Sequence, residues 1–281
     1  MSTLDLNQRV SRELGELLRY WREVRGVSQL DLSLDAGLSQ RQISFIESGR
    51  SVPGRQTLLN IAQSLDVPLC ERNVLLLSAG YAPMYSEAAW NAQEMSLVTG
   101  AARRVLQQHE PFPAIVMDRY WNVLMTNRAA PDFFNCFVDM AARAGPRNIL
   151  HLIFDPRGLR PHLANWDAVA HSLIQRVQRE SVGHVVDLQT KQLLDALLSY
   201  PGVRPEWRSK GMAGSASTLP MVPMAFINDG GVLNYFSMIT TVGTPLAVAA
   251  QELRIECMFP ADDATEARHI ALLDAARDLA R

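Results

Sequence analysis

Cysteine is scarce in this chain. Cys70, Cys136 and Cys257 are three in 281 residues, odd in number and scattered, so neither a disulfide frame nor a Cys-x-x-Cys metal site is indicated. Long hydrophobic runs are missing too. No stretch reaches the roughly 18 apolar residues of a membrane helix, and the opening MSTLDLNQRV lacks the apolar stretch of a signal peptide, so a cytoplasmic protein with no membrane partner is expected. Charge of one sign is also lacking, with 27 Lys plus Arg against 29 Asp plus Glu and a net charge of −2. Catalytic signatures are absent: there is no Gly-x-Ser-x-Gly, no Gly-x-x-x-x-Gly-Lys-Ser/Thr and no His-Glu-x-x-His. His109, His151, His162, His171, His184 and His269 are spread without ligand spacing, and Asp155, Asp187 and Asp195 are lone carboxylates suited to capping. The reading is of a non-enzyme without metal or covalent cofactor. What is present is ample material for a core: 48% of residues are hydrophobic and 20% charged, in a length that fits one to three domains.

The segment from Ser28 to Arg50, SQLDLSLDAGLSQRQISFIESGR, carries the most information. Its spacing predicts a short helix from Ser28 to a turn at Ala36-Gly37-Leu38, then a second helix that Ser39 opens and Gly49 ends. Two helices joined by a short glycine-bearing turn form a helix-turn-helix, whose second helix enters the major groove of DNA. Leu30, Leu34, Ile43 and Ile46 are expected to face a core. Gln40, Arg41 and Ser44 then share an outer face, and these side-chain types read adenine, guanine and either base. Phe45 beside them could touch a thymine methyl or pack on the domain. Arg50 suits a phosphate, with a solvated arginine as the plainer reading. Net charge argues weakly against nucleic acid, because residues 1–80 hold nine Arg against nine Asp plus Glu. Locally the balance differs: three Arg and only Glu47 lie between Ser39 and Arg55.

Those residues resemble the phage-repressor/Cro (XRE) helix-turn-helix domain, with Arg22 in the first helix, Ser28-Gln29 opening the second, Ser39 capping the third, and I-S-x-I-E-x-G-R at 43–50. The resemblance covers about residues 9–80 and implies a structural ion pair between Arg22 and Glu47. It also implies a DNA-binding set of Gln29, Ser39, Gln40, Arg41, Gln42, Ser44, Phe45 and Arg50, with Gln29 on a phosphate at a helix N-terminus.

Periodicity organises the rest. Leu14, Leu17, Leu18 and Trp21 fall on one helical face, Leu58, Ile61, Ala62 and Leu65 on another, and a fifth helix is expected from Pro68 to Ala79. The proline-punctuated stretch at 81–92 reads as a linker. Beyond residue 93 the chain predicts a helix at 93–109, strands at 114–118 and 121–126, helices through about Leu198 including 166–179, and strands at 218–227, 232–242 and 251–259. Asn228-Asp-Gly-Gly marks a turn, and a last helix spans 262–279. The fold expected is α+β: an all-α, five-helix lambda-repressor-like domain at 1–80, then a PAS-like antiparallel-sheet domain with flanking helices at 93–281.

The segments PFPAIVMDRYWNVLMTNRAA at 111–130, NILHLIFDPRGLRPHLANW at 148–166 and TTVGTPLAVAAQELRIECMFPAD at 240–262 resemble the MmyB-like regulators. Members of that family join an XRE helix-turn-helix to a PAS-like domain with a pocket able to hold a fatty-acid-like molecule, and they are often linked to antibiotic metabolism. The resemblance implies a sequence-specific DNA-binding transcriptional regulator that senses a small apolar ligand, a bound fatty acid among the candidates; a homodimer on a double-stranded DNA operator is expected because a small domain of zero net charge offers few contacts alone. Phe112, Trp121, Phe133, Phe134, Phe137, Phe154, Trp166, Phe236 and Met238 are the lining candidates, and any one of them taken singly reads more readily as core. Asn127, Arg128, Arg160, His162 and Asn165 are candidates for a head group. The alternative is a dimerising DNA-binding or interaction module whose PAS-like domain binds no ligand.

Overall fold

Apolar side chains at helical spacing build the first part of the molecule. The computed structural model describes residues 3–143, 147–181, 188–208, 223–228 and 231–279. His184, Asp187, the first part (218–222) of the strand expected at 218–227, and Asp229-Gly230 of the expected turn lie outside them. Contacts divide the chain into two units, 1–88 with 179–187 and 244–251, and 89–178 with 188–243 and 252–281.

The first unit holds five helices, α1 (Thr3–Val24), α2 (Gln29–Asp35), α3 (Gln40–Glu47), α4 (Arg55–Ser64) and α5 (Leu69–Ser78). Leu14, Leu18 and Trp21 of α1 meet Leu32, Ile43, Ile46, Leu58, Ile61 and Leu76 in a common core. Burying each such side chain contributes about 1.5–3 kcal/mol, enough in sum to fix short helices that would be marginal alone. One expectation is corrected. Leu30 and Leu34 are 52% and 71% exposed, while Leu32 and Ala36 are buried. Both pairs have i, i+4 spacing on opposite stripes of α2, so periodicity alone could not choose between them.

Residues 81–88 are tied to this unit rather than hanging free as a linker. Asn73 accepts hydrogen bonds from the backbone N–H groups of Met84 and Tyr85 (3.1 Å each) and donates to the Tyr85 carbonyl (2.8 Å). The distant segment 244–251 joins the same unit. The Val248 N–H donates to the Ser86 carbonyl (2.9 Å), and the Leu69 N–H donates to Gln251 Oε1 (2.7 Å).

The second unit is a five-stranded sheet, with β1 (Ala114–Met117), β2 (Val123–Thr126), β3 (Met224–Asn228), β4 (Gly231–Thr240) and β5 (Arg254–Pro260) in the order β2-β1-β5-β4-β3. Every neighbouring pair is antiparallel. Strand alternation gives the sheet two apolar faces. Ala114, Val116, Ile255 and Cys257 pack on α6 (Ser96–Gln108) through Ala102 and Leu106. Ile115, Met117, Leu233, Tyr235 and Met258 face the other way. That second face is covered by α7 (Ala129–Asn135), α8 (Ile149–Phe154), α9 (Trp166–Ser181), α10 (Leu188–Leu198) and the last helix, Asp263–Leu279, whose Leu273 enters the same core. A short helix at Val248–Glu252 occupies the start of the strand expected at 251–259. The protein is α+β, a five-helix unit followed by a PAS-like antiparallel sheet with flanking helices.

Candidate functional site

The turn before α3 is set by Gly37, whose φ of +68° lies in the left-handed region and lets the Leu38 N–H reach back to the Ser33 carbonyl (2.8 Å). Ser39 then opens α3 with a reciprocal cap. Its Oγ accepts from the Gln42 N–H (3.2 Å), and Gln42 Oε1 accepts from the Ser39 N–H (2.9 Å). These two side chains are engaged in starting the helix. Gln40, Arg41 and Ser44 are exposed on α3, as is Arg50 beyond it. Phe45 is half-buried, with the Arg41 guanidinium 5.1 Å and that of Arg50 5.8 Å from its ring centroid. The ring groups two cations beside the exposed polar side chains.

Behind this face Glu47 is buried, at 4% exposure. Arg22 grips it with two parallel bonds, Nε to Oε1 at 2.6 Å and Nη2 to Oε2 at 3.0 Å. Gln29 Nε2 donates to the same carboxylate (2.9 Å), and Arg19 lies 3.7 Å away. Burial alone would push the Glu47 pKa up. The bonds from Arg22 and Gln29 and the charges of Arg22 and Arg19 outweigh it, leaving the pKa below the ordinary value. Gln29 thus ties α2 to α3 through Glu47, where the resemblance placed it on a phosphate.

In the second unit the inner face of the sheet bounds a cavity of about 180 Å³. Ile115 of β1, Met224 and Phe226 of β3, Ser237 and Ile239 of β4, and Glu256 and Met258 of β5 form one wall. Opposite stand Phe134 of α7, Ile149 and Ile153 of α8, and Val169, Ser172, Leu173 and Arg176 of α9. The four α9 residues fall at i, i+3, i+4 and i+7, one helical stripe. Trp121 completes the lining. Its indole Nε1 is the one buried side-chain nitrogen or oxygen without a hydrogen-bond partner among the described residues. The Arg176 guanidinium lies 4.6 Å from its ring centroid. Glu256 is held in protein surroundings that raise its carboxyl pKa by desolvation, against a hydrogen bond from the Ser237 side chain and the charge of Arg176.

Trp121 has a φ of +67°, costly for a bulky residue. A polar network holds it there. Asp118 Oδ1 accepts from the N–H groups of Tyr120 (2.8 Å) and Asn122 (2.9 Å), and Asn148 donates to the Tyr120 carbonyl (2.7 Å). The Ile149 N–H donates to the Trp121 carbonyl itself (3.1 Å).

Comparison with family models matches residues 18–72 to a helix-turn-helix and residues 98–272 to the MmyB-like transcription regulator ligand binding domain. The chain belongs to the MmyB-like transcription regulators. It is a DNA-binding regulator with a ligand-binding domain. A comparison with curated proteins found no match.

In this MmyB-like chain the expected lining residues separate. Trp121 and Phe134 line the cavity; Phe112, Phe133, Phe137, Phe154, Trp166, Phe236 and Met238 do not. Phe133 centres an aromatic cluster with Phe137 (5.1 Å), Phe226 (5.2 Å) and Tyr235 (5.3 Å). Phe154 packs edge-on against Trp166 (6.0 Å), and Phe112 lies 4.9 Å from His269. Phe236 stacks on Phe259 on the opposite sheet face, and Met238 is 58% exposed. The expectation for these two is corrected by one residue of register, since Ser237 and Ile239 are the inward neighbours.

None of the head-group candidates lines the cavity. Asn127 accepts from the Ala114 and Ala130 N–H groups, and Asn165 from that of Ala225. Arg160 stacks on Trp166 and bonds the Pro201 carbonyl, Arg128 pairs with Asp132, and His162 lies against Phe137. The polar side chains that do reach it are Ser172, Arg176, Ser237 and Glu256, and no local motif in the sequence groups them. His109 and His269 are structural: the Nε2 of each is bonded to a backbone carbonyl, of Met258 and Pro111. Among the described residues no group of three or more His, Cys, Asp or Glu side chains is placed to hold a metal ion, and no helix is long and apolar enough to cross a membrane.

Proposed function

We propose that this regulator reads a specific operator through Gln40, Arg41 and Ser44 of α3 and senses a small, largely apolar molecule in the second unit. The observation that carries the sensing is the cavity itself, whose mostly apolar walls include a buried donor with no partner among the described residues. A few polar groups in an apolar lining fix a ligand's orientation and leave most of its binding to burial. On the DNA side, Ser39 and Gln42 are occupied by the cap, which leaves Gln40, Arg41 and Ser44 as the base readers and Arg50 as the phosphate contact.

Ligand control then follows as a population shift. A molecule that binds one conformation better than another changes operator affinity by that difference. The test is genome-wide binding of the full chain with and without the native metabolite pool, joined to native mass spectrometry of the purified protein. Ligand-dependent occupancy of a shared sequence supports the reading. Occupancy indifferent to the pool, from protein that carries no small molecule, favours the module that pairs subunits and binds no ligand.

A further inference from the structure

Backbone geometry at the end of α3 brings one ring and two cations together. Gly49 has a φ of +70°, in the left-handed region, and its N–H donates to the Ile46 carbonyl (3.0 Å). The Arg50 N–H reaches back to the Phe45 carbonyl (2.9 Å). These two bonds make a Schellman motif, in which the residue after the glycine characteristically packs on the residue that accepts the longer-range bond. Here that pair is Arg50 and Phe45. Arg41 arrives by a second rule, because it precedes Phe45 by four residues, the spacing of neighbours on a helix surface. The guanidinium carbons stand 5.1 Å (Arg41) and 5.8 Å (Arg50) from the ring centroid, both within cation–π range.

Such a cluster matters before DNA is met. A long, exposed side chain loses rotamer freedom when it binds, and ordering it in advance lowers that cost. A guanidinium resting on an aromatic face keeps its donors free, since they lie in its own plane and point outward to a base edge or a phosphate. Phe45 is half-buried and so anchored in the domain, whereas Arg41 and Arg50 are exposed.

Resting on the base-reading set proposed above, we propose that Phe45 is a positioning residue for operator recognition. Its ring holds Arg41 and Arg50 in the arrangement that meets the duplex, and it acts through them rather than on a thymine methyl.

The test uses the full-length protein, an operator fragment it selects from random DNA, and every single-base variant of that fragment. Phe45→Leu keeps apolar bulk and removes the ring face. It lowers operator affinity about fourfold or more, from about two- to fivefold for each arginine released. The preference it relaxes is at the base pair that Arg41→Ala relaxes. Phe45→Tyr keeps the face and stays within about twofold of the parent. In an Arg41→Ala, Arg50→Ala background, Phe45→Leu changes affinity by less than about twofold, because no cation is left to position. Phe45→Met is a second ring-free variant with the same expected losses, and melting confirms the fold of each. A loss at an A·T pair that Arg41→Ala leaves intact, or an undiminished loss in the arginine-free background, means that the ring touches DNA itself and overturns the proposal. Unchanged affinity in the folded ring-free variants overturns it too. If Arg41→Ala keeps the parent's affinity and base preference, the base-reading set fails and this proposal falls with it.

Discussion

Glu47 shows how one side chain can hold three helices. It sits at the end of α3 and receives Arg22 from α1 and Gln29 from α2, with Arg19 near by. Glu47→Ala leaves the arginine and the amide without their acceptor, and breaking a well-buried pair costs about 3–5 kcal/mol. The combined Arg22→Met, Glu47→Leu change is expected to do less harm than Glu47→Ala, because it removes both charges and keeps the volume. Chemical denaturation of the full chain, following the helical unit, checks both; equal midpoints for the parent and Glu47→Ala would contradict the argument. The pH dependence has a fixed sign. The folded Glu47 pKa is depressed, so its contribution is fully present above the ordinary glutamate pKa and is lost as pH falls through the depressed value. At this scale the sequence supplied the Arg22–Glu47 pairing through resemblance. The resemblance gave Gln29 a phosphate, and the 2.9 Å donation to Glu47 is a further task of the same amide that spacing did not reveal.

Helix α3 is positioned by a close approach as much as by its cap. A Cβ on Gly15 of α1 would lie 2.7 Å from the carbonyl oxygens of both Ile46 and Glu47, which are backbone and cannot swing aside. Gly15→Ala is therefore expected to cost about 1–3 kcal/mol as overpacking and to push α3 outward, weakening operator binding as well. Melting and DNA titration of the same variant measure the two effects. Replacing Gln40 and Arg41 with Ala should instead leave stability alone, because both are exposed. Each lost base contact removes about 1–3 kcal/mol of discrimination. Selection from random DNA checks it, and recovery of the same site by the double variant would remove these residues from the reading set. Helix and strand types were legible from periodicity; which face turns inward was not. In β4 the alternation allowed Phe236 and Met238 or Ser237 and Ile239, and a one-residue change of frame exchanges them all.

For the whole molecule, operator binding as a symmetric pair is the expected state. A single helical unit with nine Arg against nine acidic residues over 1–80 has few phosphate contacts to offer, and a pair doubles them. Half-sites should lie about 34 Å, roughly 10 base pairs, apart or at a multiple of that spacing. Footprinting decides, and a single short asymmetric site filled by one chain would rule the pair out. The sequence by itself determined the two-part α+β plan, the capped α3 with its exposed Gln40 and Arg41, and the family, because all of these rest on local spacing and on motifs contiguous in the chain. Only the tertiary structure decided that 244–251 packs with the helical unit, that β5 lies between β1 and β4, and that Trp121, Arg176, Ser237 and Glu256 share one cavity. Those residues lie far apart along the chain. They meet because strand pairing and face selection are long-range choices, fixed when the whole core is buried at once.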